Sequence, residues 1–333
     1  GITLFGVLYS GKQETTQDYF VGDRSVPWWA IAASIVATET STITFISVPG
    51  IAFAKNGNFE FLQLVFGYML GRVVISLLFI PMYFKGELFT VYQLLGERFG
   101  EKVKMLASAL FVIMRNIADG IRLLLTAIVL AAVYTAFVPG ANANVIIVAS
   151  IILLGVVMII FTFYGGMEAV IWVEVVQLAI YIGGAIAAAV VILNGIDGGF
   201  SRVLEVGSQF NKFQLFDFSL NFTKTYTFWG GLIGGCFLTM STHGTDQYLV
   251  QRYLCTDKPA SAATALLSSG AVVLGQFIGF CSSAFCFSPI INRLTCPNTH
   301  RSERKAQSSR RHFLFRAATR FFPTSSRNIC RRV

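Results

Sequence analysis

Two stretches of this chain, Val145–Phe163 and Val175–Leu193, each run for 19 residues without a charged side chain. A helix needs about 20 apolar residues to cross the hydrocarbon core of a bilayer, so these two stretches constrain the fold more than any other feature. Five more apolar stretches accompany them. Trp28–Ala54 is interrupted only by Glu39, Phe61–Phe84 only by Arg72, and Met105–Val138 by Arg115, Asp119 and Arg122. Thr225–His243 and Ala260–Phe287 complete the seven, and Gly1–Ser10 reads as the end of a further, truncated helix. Charged residues make up 13% of the chain and hydrophobic ones 54%. Soluble domains carry about 25% charge, and one of this composition would expose large apolar patches. The fold class is therefore all-α and polytopic in a membrane. With no Walker loop, G-x-S-x-G or H-E-x-x-H, no enzymatic activity is expected.

The net charge of +9 suggests nucleic acid until it is located. Residues 288–333 hold 11 of the 26 Lys and Arg and one of the 17 acids, so this tail alone supplies the excess. Its ten Arg against one Lys contrast with seven Arg and eight Lys before it. The expected division is a transmembrane region over 1–287 and a basic tail over 288–333, disordered or frame-shifted, with no nucleic-acid partner. Eight bases fall in one set of loops (Lys12, Arg24, Lys85, Arg98, Lys102, Lys104, Arg252, Lys258) and four in the other (Lys55, Arg202, Lys212, Lys224). The positive-inside bias then places the segment before Trp28 in the cytoplasm, in a multi-pass protein of the plasma membrane. The six cysteines show no C-x-x-C spacing, and no metal or redox site is expected from them.

Two spans are weakened internally. Six of the ten residues from Thr38 to Ser47 carry hydroxyls and one is Glu39, with Pro49-Gly50 following. β-Branched Thr loosens a helix, and so polar a run is costly in lipid. It reads either as hydroxyls bonded back to their own helix or as an unwound segment whose freed carbonyls bind a cation and a solute. Gly230-Gly231, Gly234-Gly235 and Thr239–Gly244 weaken a second span five helices later. Two interrupted helices at that separation point to an inverted-repeat transporter.

The residues from Tyr164 through Gly165-Gly166-Met167-Glu168 to Gln177 resemble the signature of the sodium/solute symporter family. Asp18-Tyr19-Phe20 with Gly22 to Trp29 is similar to that family's approach to its first core helix, and Gly244–Arg252 resembles its sixth. The resemblance implies a LeuT-type bundle, here one full repeat and two helices of the second, truncated at both ends. It also implies sodium as coupling ion, with no other cofactor, and alternating access.

By that resemblance, sodium would be held by the backbone carbonyls of Ala37 and Thr40. Glu39 and Glu174 are candidate cation-site acids: Glu39 stands where proline-transporting members carry Asp, and Glu174 replaces a helix-five Asp. Without a cation, Glu39 would instead be protonated and bonded to neighbouring hydroxyls. The expected solute contacts are Ser41, Thr42 and Thr44 at the break, Gln63 early on the next helix, and Thr242 and His243 at the second break. Arg115, Asp119 and Arg122, spaced i, i+4, i+7, share a helix face. They form either a self-neutralising triad or one with an Arg left over for a carboxylate. The expected function is sodium-driven symport of a small organic solute, one bearing a carboxylate if that Arg is left over. The alternative is a non-transporting sensor or regulatory fragment of the same fold.

Overall fold

The computed structural model describes residues 15–295, apart from 55, 56, 86, 87, 89, 197 and 222. Both the Gly1–Ser10 stub and most of the basic tail lie outside these residues. The described chain is helical, with no strand beyond an isolated Ser25–Thr256 bridge. A short α1 (Thr16–Val21) leads through a 3-10 turn to α2 (Trp28–Glu39) and α3 (Thr42–Phe53). Next comes α4 (Leu62–Val74), which passes through a π-helical segment, Ile75–Phe79, into α5 (Ile80–Tyr83). Then follow α6 (Val91–Phe99), α7 (Glu101–Phe137), α8 (Ala143–Asn194) and α9 (Gly199–Gln209). The last elements are α10 (Phe228–Thr239), a π segment Met240–Thr245, α11 (Gln247–Tyr253) and α12 (Pro259–Thr295). The helix α12 thus runs past the boundary at 287 read from composition.

Among the described residues, four helical stretches are long and apolar enough to span a bilayer: Phe59–Tyr83, Glu101–Phe137, Ala143–Asn194 and Pro259–Ser283. Val145–Phe163 and Val175–Leu193, read as separate spans, lie on two helices that meet at a kink at Gly166 within the stretch Ala143–Asn194. Gly166 has φ 57° and ψ −164°, which a residue without a Cβ adopts at little cost. The helices α7 and α8 leave Leu106, Ile113, Ile152, Ile159 and Phe163 more than half exposed. Such rows of bare apolar side chains suit lipid, not water.

The break between α2 and α3 lies between two buried cores. Ile31 and Ile35 pack with Ile75, Val250, Tyr253 and Leu266 on one side. Val36, Val48 and Ala52 pack with Val65, Leu178, Val273 and Phe277 on the other. Beside the break, α4 and α10 meet backbone to backbone. A Cβ on Gly67 would overlap the Gly231 carbonyl and lie 2.7 Å from Leu232 O, and one on Gly235 would lie 2.5 Å from Leu64 O. Two G-x-x-x-G spacings, Gly67/Gly71 and Gly231/Gly235, thus make the contact, since small residues let helices approach closely in a membrane.

Candidate functional site

The run from Thr38 to Ser47 unwinds over two residues only. The helix α2 holds to Glu39, Thr40 turns away at φ −84°, ψ 75°, and Ser41 caps α3 by accepting from Thr44 N at 3.3 Å. Ser and Thr hydroxyls favour this arrangement because they replace the missing carbonyl partners of a helix start. Ser41 N–H donates to Glu39 O at 3.0 Å, and Thr44 Oγ1 donates to the same carbonyl at 3.1 Å. In an unbroken helix Ser41 N–H would reach Ala37 O and Thr44 N–H would reach Thr40 O. Both donors are diverted, so the ladder lets go of those two carbonyls. A cavity of about 230 Å³ adjoins the break, lined by Thr40, Ser41, Phe45, Ile180, Tyr181 and Gly184. Thr40 Oγ1 lies 2.8 Å from both Val36 O and Gln276 Oε1, which ties the break to α12.

At the end of α2, Glu39 meets two basic side chains. Its Oε2 is 2.5 Å from Arg72 Nη2, and its Oε1 is 2.8 Å from His243 Nε2. Arg72 Nη2 and His243 Nε2 are themselves 3.4 Å apart. Thr242 Oγ1, which donates to Leu238 O at 3.0 Å, lies 3.0 Å from the other imidazole nitrogen. Arg72 is fully buried and His243 nearly so. This cluster joins the first broken helix, α4 and the π segment after α10. Arg72 was absent from the sequence-derived site. Its signal was available: a lone Arg in one apolar stretch and a lone Glu in the stretch before it, since charges inside a bilayer usually pair.

A second buried cluster surrounds Glu174 of α8. Arg252 of α11 reaches it twice, Nη2 to Oε1 at 2.6 Å and Nε to Oε2 at 3.2 Å. Ser34 donates to Oε2 and Thr38 Oγ1 donates to Oε1 at 2.9 Å. Arg252 Nη1 also donates to the Tyr248 carbonyl. The carboxylate expected at a second cation site therefore has a guanidinium across both oxygens.

The remaining expected residues sit as follows. Ser41 and Thr44 are at the break, 3.2 Å apart through their hydroxyls. Thr42 starts α3, but its side chain lies outside the described residues. Gln63 is buried with its amide engaged at both ends, donating to Glu60 O at 3.1 Å and accepting from Asp217 N at 2.8 Å. Arg115, Asp119 and Arg122 form the expected chain of ion pairs, at 2.9 and 3.3 Å, on the half-exposed face of α7. Arg115 also approaches Asp246 at 3.7 Å and stacks over the Tyr248 ring at 3.7 Å. That group is not brought to the Glu39 cluster.

A membrane-embedded helical bundle with two interrupted helices and buried charges at both breaks defines a solute-carrier class of architecture. Residues 19–306 match the Sodium:solute symporter family, and the chain belongs to it. It is 30% identical to the sodium/sialic acid symporter SiaT of Proteus mirabilis over 81% of this chain and 52% of that protein. It is 28% identical to the human sodium/iodide cotransporter over 86% of this chain and 42% of that one. A solved structure of a Na+-coupled sialic acid symporter, substrate-bound and outward-open, superposes with a TM-score of 0.72 at 28% identity. That likeness covers 90% of this chain and 60% of the other. The chain thus spans about half the length of the curated relatives it matches.

Proposed function

We propose that this chain carries the sodium and solute sites of a symporter, in which sodium entry drives uptake of a small anionic solute by alternating access. The diversion of Ser41 N–H and Thr44 N–H supports this reading most directly. It leaves the Ala37 and Thr40 carbonyls at the break to act as oxygen ligands, the type a hard cation such as sodium prefers. Glu39, one residue from Thr40, adds negative field without having to touch the ion. Ser41 lines the cavity beside Thr40 and Phe45, with the Thr44 hydroxyl 3.2 Å from its own, and Thr42 follows it in the chain as the remaining solute candidate of the break. Glu174, held by Arg252, anchors α8 to α11 in this reading and is no sodium ligand. The relatives' names include sialic acid and iodide, both anions at neutral pH, which favours an anionic cargo.

The test is uptake of radiolabelled N-acetylneuraminate, lactate and iodide into proteoliposomes under an inward sodium gradient or an equal potassium gradient. Symport predicts accumulation of at least one anion with sodium and not with potassium. Equal uptake of every anion under both gradients would overturn it.

A further inference from the structure

We propose that Arg72 holds the negative charge of the solute, and that this makes anion binding depend on sodium; the proposal rests on the symport reading above. Among the described residues only one of Arg72's three guanidinium nitrogens is engaged: Nη2 donates to Glu39 at 2.5 Å, with His243 Nε2 3.4 Å away. Nε and Nη1 are buried without a partner among the described residues. So is the hydroxyl of Ser76, four residues further along the same helical stretch and hence on the same side. The buried Tyr253 hydroxyl also lacks a partner among the described residues, and Tyr253 belongs to the same core cluster as Ile75, the residue before Ser76. Buried donors are nearly always satisfied, and leaving a charged one unmet is costly. All four atoms can donate, a set that suits an anion.

Gly270 of α12 gives the guanidinium its space. A Cβ there would lie 2.9 Å from Arg72 Cδ and 3.1 Å from Nη1. The other candidate guanidiniums are already committed. Arg115 is paired with Asp119 and Asp246 and stacked on Tyr248, and Arg122 is paired with Asp119 on the exposed face of α7.

Charge counting supplies the coupling. Glu39 and Arg72 cancel. Sodium alone adds +1 to that pair, the anion alone adds −1, and both together add nothing. An uncompensated charge in a low-dielectric interior is strongly disfavoured. Each ligand therefore prepares the site for the other, and by linkage the enhancement is reciprocal.

The experiment is equilibrium binding of radiolabelled iodide, lactate and sodium to purified protein, which requires no transport cycle. Arg72→Gln should bind sodium while losing anion affinity by about 30-fold or more, the loss typical when a buried charge partner is removed. Retained sodium binding shows that this variant folds, and Arg72→Lys should keep part of the anion affinity. Glu39→Gln leaves Arg72 uncompensated and should bind the anion without sodium. If Arg72 served only as counter-ion to Glu39, the double variant Glu39→Gln/Arg72→Gln would recover wild-type anion binding, and the proposal would fall. Unchanged anion affinity in Arg72→Gln would overturn it equally. If wild-type anion binding ignored sodium yet still required Arg72, the symport reading would fail while the assignment of Arg72 as anion holder survived.

Discussion

Arg252 closes on Glu174 through two separate contacts, 2.6 Å from Nη2 and 3.2 Å from Nε, and neither side chain is more than slightly exposed. Ser34 and Thr38 donate to the same carboxylate, so α2, α8 and α11 meet at one ion pair. Removing one partner of such a pair strands a buried charge. Arg252→Leu should destabilise the protein by about 3–5 kcal/mol, and Glu174→Leu/Arg252→Leu by less. Unfolding in detergent followed by circular dichroism checks this. A double variant no more stable than the single would show that the hydroxyls already satisfy Glu174. Because Arg252 occupies both oxygens, Glu174→Gln should leave sodium affinity nearly unchanged.

Ser41 ties the geometry of the first break to sodium. Its hydroxyl takes the Thr44 N–H that would otherwise return to the Thr40 carbonyl. Ser41→Ala should cost about 1 kcal/mol as a lost cap. It should also let Thr44 N–H reclaim that carbonyl and weaken sodium binding. Equilibrium binding of labelled sodium measures the effect; a variant with lower stability but wild-type sodium affinity would remove Thr40 from the ligand set.

The glycine contact between α4 and α10 has no slack, because every atom facing Gly67 and Gly235 in the tightest contacts is backbone. Gly67→Leu should therefore destabilise by about 1–3 kcal/mol or more through overpacking, with no side chain able to rotate away. By contrast Gly155, whose added Cβ meets nothing within 4 Å, should accept Ala with little change. Thermal unfolding of the two variants side by side is the comparison. Equal melting temperatures would mean that the two helices can separate without penalty.

Lys212, just after α9, inserts its ammonium among the carbonyls at the end of α3, 3.3 Å from Ala52 O, 2.6 Å from Ala54 O and 2.8 Å from Gly57 O. Burial pulls its pKa down from 10.5 to about 8. Between those values the unfolded chain keeps a proton that the folded one has released. Stability should therefore rise as pH climbs from about 8 to 10.5, and below 8 the cost of burying the charge is fully present. The difference in unfolding free energy between wild type and Lys212→Met, followed across that interval, should shift toward wild type. A shift the other way would mean that the carbonyl cage outweighs desolvation.

Much of this was legible before any coordinates. The apolar stretches dictated a membrane bundle because lipid admits few ways to satisfy a backbone. The hydroxyl run around Glu39 marked the first break, and Gly230 to Gly244 marked the second. The expected unwinding was broader than what occurs: only Thr40 and Ser41 leave the helix, since Ser41 and Thr44 supply an N-cap that restarts it at once. The i, i+4, i+7 spacing put Arg115, Asp119 and Arg122 on one helix face, where they pair, because local spacing on one helix is fixed by its pitch.

What the sequence determined alone was local: which segments are apolar, where a helix weakens, and which charges share a helical face. Tertiary packing decided which charges meet. Glu39 and Arg72 are 33 residues apart, Glu174 and Arg252 are 78 apart, and Arg72 and His243 are 171 apart. No periodicity connects such positions. Their pairing depends on how closely α4 and α10 approach through glycine, and on where α2 stops. Gln63 shows the same limit from the other side. Its position suggested a solute contact, yet the fold brings Asp217 N–H and Glu60 O to its amide. A buried polar group takes whichever partner packing delivers, and packing is a property of the whole chain.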